Sequence, residues 1–344
     1  MKKCSKPAII ALTVFFVICT GITGCLNREI DTKVVRIACF PNITHSQALL
    51  GKENKFFEKY IGSEYSIDWK IFNAGPAEIE AFFAGELDLG YIGPVPAINA
   101  CEKSNGDIQI LAGATQGGAL LVAGKSSNIH NVAGLTGKKV AIPQFGNTQD
   151  LCLRYLLKKN NLKDTATGGT VVVVAAENSD IKNLLSNGDI DAALVPEPWA
   201  ARLIVETGAK IILDVNEVFL DGNYPSAVLI GRTKFIAEHP DIVENVLRAH
   251  IELTRMINKN EDNARTRINS RIKEVTHSAL SQAVLDMSFS HMTAIYDPKK
   301  NALTEFAGLM FERGLIKSRI DINKIVNMDI LNRVAHSGGE KAIN

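Results

Sequence analysis

The sequence predicts an α/β protein of two similar halves followed by a helical extension, and three observations predict it. Short runs rich in Val, Ile and Ala alternate with helical patterns as far as residue 232, which calls for layers with helices on both faces of each sheet. A helix, glycine stop and strand occur twice about a hundred residues apart, at 79–89 and 181–192, and each copy ends in Pro-x-Pro, Pro94-Val95-Pro96 and Pro196-Glu197-Pro198. Beyond Arg232 the pattern becomes almost purely helical.

Taken in order, strands are expected at 34–40, 67–72, 87–93 and 108–115, then at 139–143, 170–176, 190–196, 210–214 and 226–232. Apolar residues at three-and-four spacing predict helices over 233–258, 280–292, 298–313 and 322–334, with a break where Pro240 suits the first turn of a new helix. The starts of the halves also rhyme, Phe40-Pro41-Asn42-Ile43-Thr44 against Pro143-Gln144-Phe145-Gly146-Asn147-Thr148-Gln149. Chance likeness between two βαβ units accounts for that second rhyme equally well.

The chain has 344 residues, 46% hydrophobic and 22% charged, with 38 Lys+Arg against 37 Asp+Glu. This excludes disorder, collagen and a polytopic membrane protein, and a net charge of +1 leaves no footprint for a nucleic-acid backbone. The average hides Lys2, Lys3 and Lys6 ahead of the apolar stretch 8–19, which is too short to span a bilayer core and reads as the hydrophobic region of a signal peptide. Ile22-Thr23-Gly24-Cys25 follows and resembles the lipobox of bacterial lipoproteins, so residues 1–24 are expected to leave and Cys25 to carry lipid, with 25–33 as a tether. The alternative is an uncleaved or ordinarily cleaved signal with an incidental cysteine. Removing the three lysines from 38 basic residues leaves 35 against 37 acidic, a mildly acidic exported body.

Of the six cysteines only Cys39, Cys101 and Cys152 would remain, each in an apolar segment where a small buried hydrophobe is expected. The seven histidines show no HxxxH or HExxH spacing, so neither a metal nor a cofactor is expected. Gly118 to Ser126 imitates a phosphate loop but carries five residues between its glycines, and no GxSxG or GxGxxG motif is present. Absence of a motif does not exclude catalysis, yet the sequence supplies no nucleophile.

In open α/β sheets ligands bind beyond the carboxyl ends of strands, where helix N-termini point free N–H groups outward. Several strand-to-helix junctions have suitable residues: Asn42 or Thr44 with His45, Gly75, Pro94 with Val95, and Asn147 or Thr148 with Gln149. Together such termini hold an anion without Lys or Arg. These junctions contain neither, the nearest basic residues being Arg36, Arg154 and Arg202. Against this stands the fact that every helix needs a cap whether or not it binds anything. Thr115 and Gln116 lie in a run of small residues where a backbone either approaches a ligand or simply turns. Glu197, Trp199 and Tyr224 offer a carboxylate, an indole and a phenol to a small polar pocket. Glu197 either meets an amine on the ligand or caps the helix bearing Trp199.

Five segments carry a family resemblance across nearly the whole body: Pro41-Asn42-Ile43-Thr44-His45-Ser46-Gln47-Ala48-Leu49, Phe72-Asn73-Ala74-Gly75-Pro76, Gly90-Tyr91-Ile92-Gly93-Pro94-Val95-Pro96-Ala97, Pro143-Gln144-Phe145-Gly146-Asn147-Thr148-Gln149-Asp150 and Val195-Pro196-Glu197-Pro198-Trp199. They resemble the substrate-binding proteins of ABC importers for aliphatic sulfonates, taurine and nitrate. The resemblance implies the type II periplasmic-binding-protein fold, with lobe 1 at 34–120, lobe 2 at 121–227, and lobe 1 completed by 228–344 with the C-terminal helices packed back onto it. It places crossovers near 120–123 and 227–230 and a ligand in the cleft. A monomer is implied, anchored to the membrane and facing the periplasm or cell exterior, that delivers a small anionic organosulfur ligand, an aliphatic sulfonate or taurine, to an ABC permease with its cytoplasmic ATPase. Nitrate, bicarbonate or a thiamine-pyrimidine precursor are the alternative ligands. A biosynthetic enzyme on the same fold is the alternative class, disfavoured by the lipobox.

Overall fold

The computed structural model describes residues 33–339 and residue 343. The signal segment, Cys25 and all but the last residue of the expected tether lie outside the described residues. Among the described residues no helix is long and apolar enough to cross a membrane.

Among the described residues, eleven strands form two sheets: β1 Val34–Cys39, β2 Ser66–Ile71, β3 Leu89–Ile92, β4 Ile108–Gly117, β5 Ala119–Ala123, β6 Lys139–Ile142, β7 Val172–Ala175, β8 Ala192–Pro196, β9 Lys210–Leu213, β10 Pro225–Arg232 and β11 Met292–Ala294. The first sheet runs β11-β4-β10-β3-β1-β2 and the second β7-β6-β8-β5-β9. In each, three strands are parallel, β2-β1-β3 and β7-β6-β8, and the next strand, β10 or β5, arrives from the other lobe and pairs antiparallel. The two sheets therefore repeat one topology. The helix and strand that echo each other in sequence, Gly75–Phe83 with β3 and Asn178–Asn187 with β8, occupy equivalent places, and so do the rhyming loops after β1 and β6.

Two strands depart from the sequence pattern. β5 is a five-residue apolar run, buried throughout, and without alternation such a run carries no period to identify it. β11 is three residues long and follows the helix Gln282–Ser290, which ends before the expected 292. A helix at Ala264–Thr276 was also not anticipated. The chain leaves the first sheet at Gly117–Gly118 and returns between β9 and β10, so the expected crossovers at 120–123 and 227–230 fall inside β5 and β10 instead. Gly117 and Gly118 have φ of +72° and +76°, a backbone that only glycine adopts cheaply, and this is where the turn is made. Gly117 N–H donates to Tyr224 O at 3.2 Å, so the two crossings lie side by side.

Alternation along the strands sorts the core. Ile37 and Cys39 pack with the helix Pro240–Lys259 on one face of the first sheet. On its other face Ala38, Ile92 and Ile230 join a cluster that continues through Phe306 and Phe219 to Leu121, Val140 and Leu151 of the second lobe. Leu120 and Val122, pointing the opposite way, meet the helices Asn178–Asn187 and Trp199–Thr207. Cys39, Cys101 and Cys152 are free and buried, and burial pushes the first two thiols up to about 12.

Candidate functional site: an uncharged cleft between the sheets

The parallel strands of both sheets end at the same cleft. An inner pocket of about 40 Å³ is walled by lobe 1 residues Asn42, Thr44, His45, Gly75 and Gly93 and by lobe 2 residues Asn147, Thr148, Gln149 and Asn178. It opens into a chamber of about 560 Å³ where Phe72 and Ala77 face Ala176 and Trp199, with Glu177 and Ser179 at the rim.

Three helices start at this pocket: Gly75–Phe83, Thr148–Lys159 and Asn178–Asn187. Asn147 Oδ1 accepts the Asp150 N–H at 2.8 Å, leaving the N–H groups of Thr148 and Gln149 without an intrahelical acceptor. Thr148 Oγ1, Asn178 Oδ1 and Gln144 Oε1 are buried and have no hydrogen-bond partner in the protein. Buried polar atoms normally have partners; of these three, the Thr148 hydroxyl can donate to a ligand anion, whereas the two amide oxygens are acceptors and take only a donor. Gly93 permits the lobes to approach there: a Cβ on it would lie 2.7 Å from Thr148 Oγ1.

His45 is 2% exposed and stacks on Phe40 with centroids 4.4 Å apart. Burial pushes its pKa down to about 3, so the ring is neutral. Phe40 N–H donates to His45 Nδ1 at 3.2 Å, which leaves the proton on Nε2 and makes that nitrogen a donor. Above it, Trp199 Nε1–H donates to Asn42 Oδ1 at 3.1 Å across the cleft.

No Lys, Arg, Asp or Glu lines the inner pocket. The nearby cations are engaged elsewhere: Arg36 with Asp88 at 2.5 Å, Arg154 with Asp150 and Asp164, and Arg202 with Glu206 while lying over the Trp199 ring. Glu78, in the first turn of Gly75–Phe83, is fully buried, and burial raises its pKa well above the usual carboxyl range, so it adds no charge beneath the site.

Several expected residues stand elsewhere. Val95 belongs to the core beside Ile98, and neither it nor Pro94 reaches the pocket, which their neighbours Gly93 and Pro96 line instead. Thr115 acts behind the wall, its hydroxyl donating to Thr44 O at 2.7 Å. Gln116 is held in β4 opposite Pro225 and Thr293 and lines neither chamber. Tyr224 is wholly buried, edge-on to Phe219 and Phe306. Glu197 is turned away from the cleft: Oε1 lies 2.6 Å from His291 Nδ1, and Oε2 accepts the Ala201 N–H at 3.0 Å. Of its two readings, the helix cap is the one realised. Asn178 escaped the sequence reading, although Asn178-Ser179-Asp180 directly after a strand is a helix-start signal.

A family model described as NMT1-like matches residues 28–270. The chain belongs to the NMT1-like family. A Bacillus subtilis (strain 168) protein named as a binder of aliphatic sulfonates is 26% identical over 341 residues, covering 97% of this chain and 98% of that one. Among solved structures, the alkanesulfonate-binding protein of Xanthomonas axonopodis pv. citri bound to MOPS matches with a TM-score of 0.71 at 19% identity, covering 86% of this chain and 98% of that one. The periplasmic nitrate-binding protein of Synechocystis PCC 6803 matches with a TM-score of 0.74 at 14% identity, covering 89% of each. The relatives are solute-binding proteins and not enzymes, and the fold of this chain is theirs: two α/β lobes, two crossings and a helical C-terminal extension.

Proposed function

We propose that this member of the family captures an aliphatic sulfonate in the cleft and delivers it outside the cytoplasm to an ABC importer. The observation that carries the reading is the inner pocket itself, in which helix N-termini, the neutral His45 donor and the orphaned Thr148 hydroxyl converge without one ionised side chain. A sulfonate is charged at every physiological pH, so its hydration must be replaced by directed donors rather than relieved by protonation. Oriented backbone dipoles do this with no cation in contact. The ligand contacts on lobe 1 are Asn42, Thr44, His45 and Gly75, and those on lobe 2 are Asn147, Thr148 and Gln149, joined by Asn178. The chamber beyond gives room for an organic tail that nitrate lacks, and Trp199 covers it. Taurine's amine finds no partner in Glu197, which is engaged elsewhere.

Binding by both lobes favours the closed arrangement, and a closed shape is what a permease can recognise. A lipid on Cys25 would keep the monomer at the membrane, with 25–33 as its tether.

A thermal-shift screen with butanesulfonate, taurine, nitrate, sulfate and a pyrimidine tests the ligand class. Butanesulfonate should raise Tm most. Stabilisation by the pyrimidine alone, or by no anion, overturns the reading, as does small-angle scattering that stays unchanged when a stabilising ligand saturates the protein.

A further inference from the structure

Glu197, which does not reach the cleft, sits instead on the hinge. The crossing residue Gly118 is held from both sides: its N–H donates to His291 O at 2.9 Å, and its carbonyl accepts the Glu197 N–H at 2.8 Å. Glu197 comes from the turn after β8 in lobe 2, whereas His291 precedes β11 in the sheet of lobe 1. Their side chains close a second bridge past the glycine, His291 Nδ1 to Glu197 Oε1 at 2.6 Å. Ser288 Oγ, one helical turn before His291, lies 3.1 Å from Glu197 Oε2 and also donates to Val284 O. The carboxylate is fully buried, while the imidazole side chain is 13% exposed and open to proton exchange.

We propose that Glu197 and His291 form a proton-dependent clamp across the hinge, which positions the helix carrying Trp199 and sets how firmly the lobes stay closed. The bridge lies beside the two glycines about which the lobes turn, so a small separation there corresponds to a larger one at the cleft mouth. Glu197 also caps the helix Trp199–Thr207 through the Ala201 N–H. Whatever holds Glu197 therefore holds the indole that meets Asn42 across the cleft. The charged groups facing His291 are Glu197, from the turn after β8, and Asp214, from the segment after β9, and both favour the imidazolium. At the end of β4, Gly117 stands against the carbonyl of His291, which lies 3.0 Å from where a Cβ on that glycine would stand.

The linkage has a definite sign. The hydrogen bond to Glu197 raises the His291 pKa above the ordinary 6.5, so the closed arrangement holds the proton more tightly than one in which the bridge is broken. The closing contribution is complete below about pH 6.5 and disappears as pH rises through the raised value.

This inference rests on the cleft being the capture site, but its test does not need the ligand. The chain has two tryptophans, and in Trp69→Phe the emission of Trp199 alone reports the cleft. Trp199 emission in the ligand-free full chain should follow a single titration with a midpoint above pH 6.5. The imidazole resonances of His291 should titrate with it, and His291→Gln should abolish the transition while leaving the spectrum near its high-pH form. An emission that is flat with pH, or that titrates identically in His291→Gln, overturns the clamp. Ser288→Ala keeps both partners and should preserve the transition, which separates the bridge from a general loss of packing; loss of the transition in that variant counts against the bridge. If butanesulfonate binds, its affinity should fall by about tenfold for each unit by which closure raises the pKa, and it should be independent of pH in His291→Gln. A failure of butanesulfonate to bind strikes the functional reading and leaves the emission test standing.

Discussion

The equivalent loops after β1 and β6 handle their polar groups in opposite ways. In lobe 1, Phe40 N–H is taken by His45 Nδ1, Thr44 O by the Thr115 hydroxyl, and Asn42 Oδ1 by the Trp199 indole. In lobe 2, Asn147 and Asp150 organise the helix start, through Asp150 N–H and Gly146 N–H, yet Gln144 Oε1 and Thr148 Oγ1 stay buried and unpartnered. Apart from Asn42, whose partner comes from across the cleft, the lobe 1 wall is satisfied from within its own lobe, whereas the Thr148 hydroxyl of lobe 2 is left for a ligand. The orphaned Thr148 hydroxyl costs about 1–3 kcal/mol in the closed, empty cleft, and an anion that accepts from it recovers that cost. The difference teaches where preorganisation and where closing energy reside: lobe 1 presents a fixed receptor surface, and lobe 2 gains most by closing onto the ligand.

The sharpest way to break this contrast is His45→Phe. The phenyl ring keeps the stack on Phe40, but it removes the acceptor for Phe40 N–H and the donor on Nε2. Unfolding free energy should fall by about 1–3 kcal/mol and butanesulfonate affinity by about tenfold or more, read from urea titration and calorimetry. Unchanged stability would mean that the lobe 1 wall is not preorganised by this bond. The same ring leaves a signature in acid. Burial holds His45 at about 3 and His250 at about 4, below the ordinary 6.5, so between these values the unfolded chain binds protons that the folded chain does not. Stability should therefore fall as pH drops from 6.5 towards 4, by up to about 1.4 kcal/mol per pH unit for each ring. His45→Phe should remove one ring's share of that slope. Urea midpoints at pH 7, 6 and 5 decide the matter, and an unaltered slope in the variant shows that His45 is not held neutral.

How much of this was legible beforehand depended on whether a feature was local. The duplicated helix-glycine-strand unit at 79–89 and 181–192 announced two sheets of one topology, because periodicity and a glycine stop are properties of contiguous residues. The polar loop residues Asn42, His45, Asn147 and Thr148 were likewise visible as helix-start chemistry on the ends of strands. Glu197 stayed open between two readings in the sequence, because its surroundings depend on His291, ninety-four residues away in the chain. β5 was hidden for a related reason: a short strand buried on both faces has no alternation, and only its pairing with β8 and β9 defines it. Val95 and Tyr224 were drawn toward the pocket by their neighbours in sequence, yet Val95 sits on the core side of its helix, and Tyr224, in the bend before β10, packs edge-on to Phe219 and Phe306.

A smaller and cleaner effect belongs to lobe 2. Thr148→Ala removes a hydroxyl that has no partner in the protein, so the fold should lose almost nothing. Binding should weaken by about 1–3 kcal/mol. Calorimetry and thermal denaturation measured on one preparation separate the two quantities. Wild-type affinity would make Thr148 only a helix-start residue and would erase the difference between the walls.

The smallest expected effect tests whether the walls are coupled once they meet. Trp199→Phe keeps an aromatic face beneath Arg202 and over the outer chamber but removes the indole N–H that reaches Asn42. Since this bond joins the lobes only when the cleft is closed, its loss should cost about 0.5–1.5 kcal/mol and appear in the dissociation rate, with association unchanged. Stopped-flow mixing with butanesulfonate resolves the two rates. A change carried wholly by association would show that the contact forms before the ligand is enclosed. Asn42 would then belong to the preorganised wall alone, with no share in the energy that holds the second wall shut.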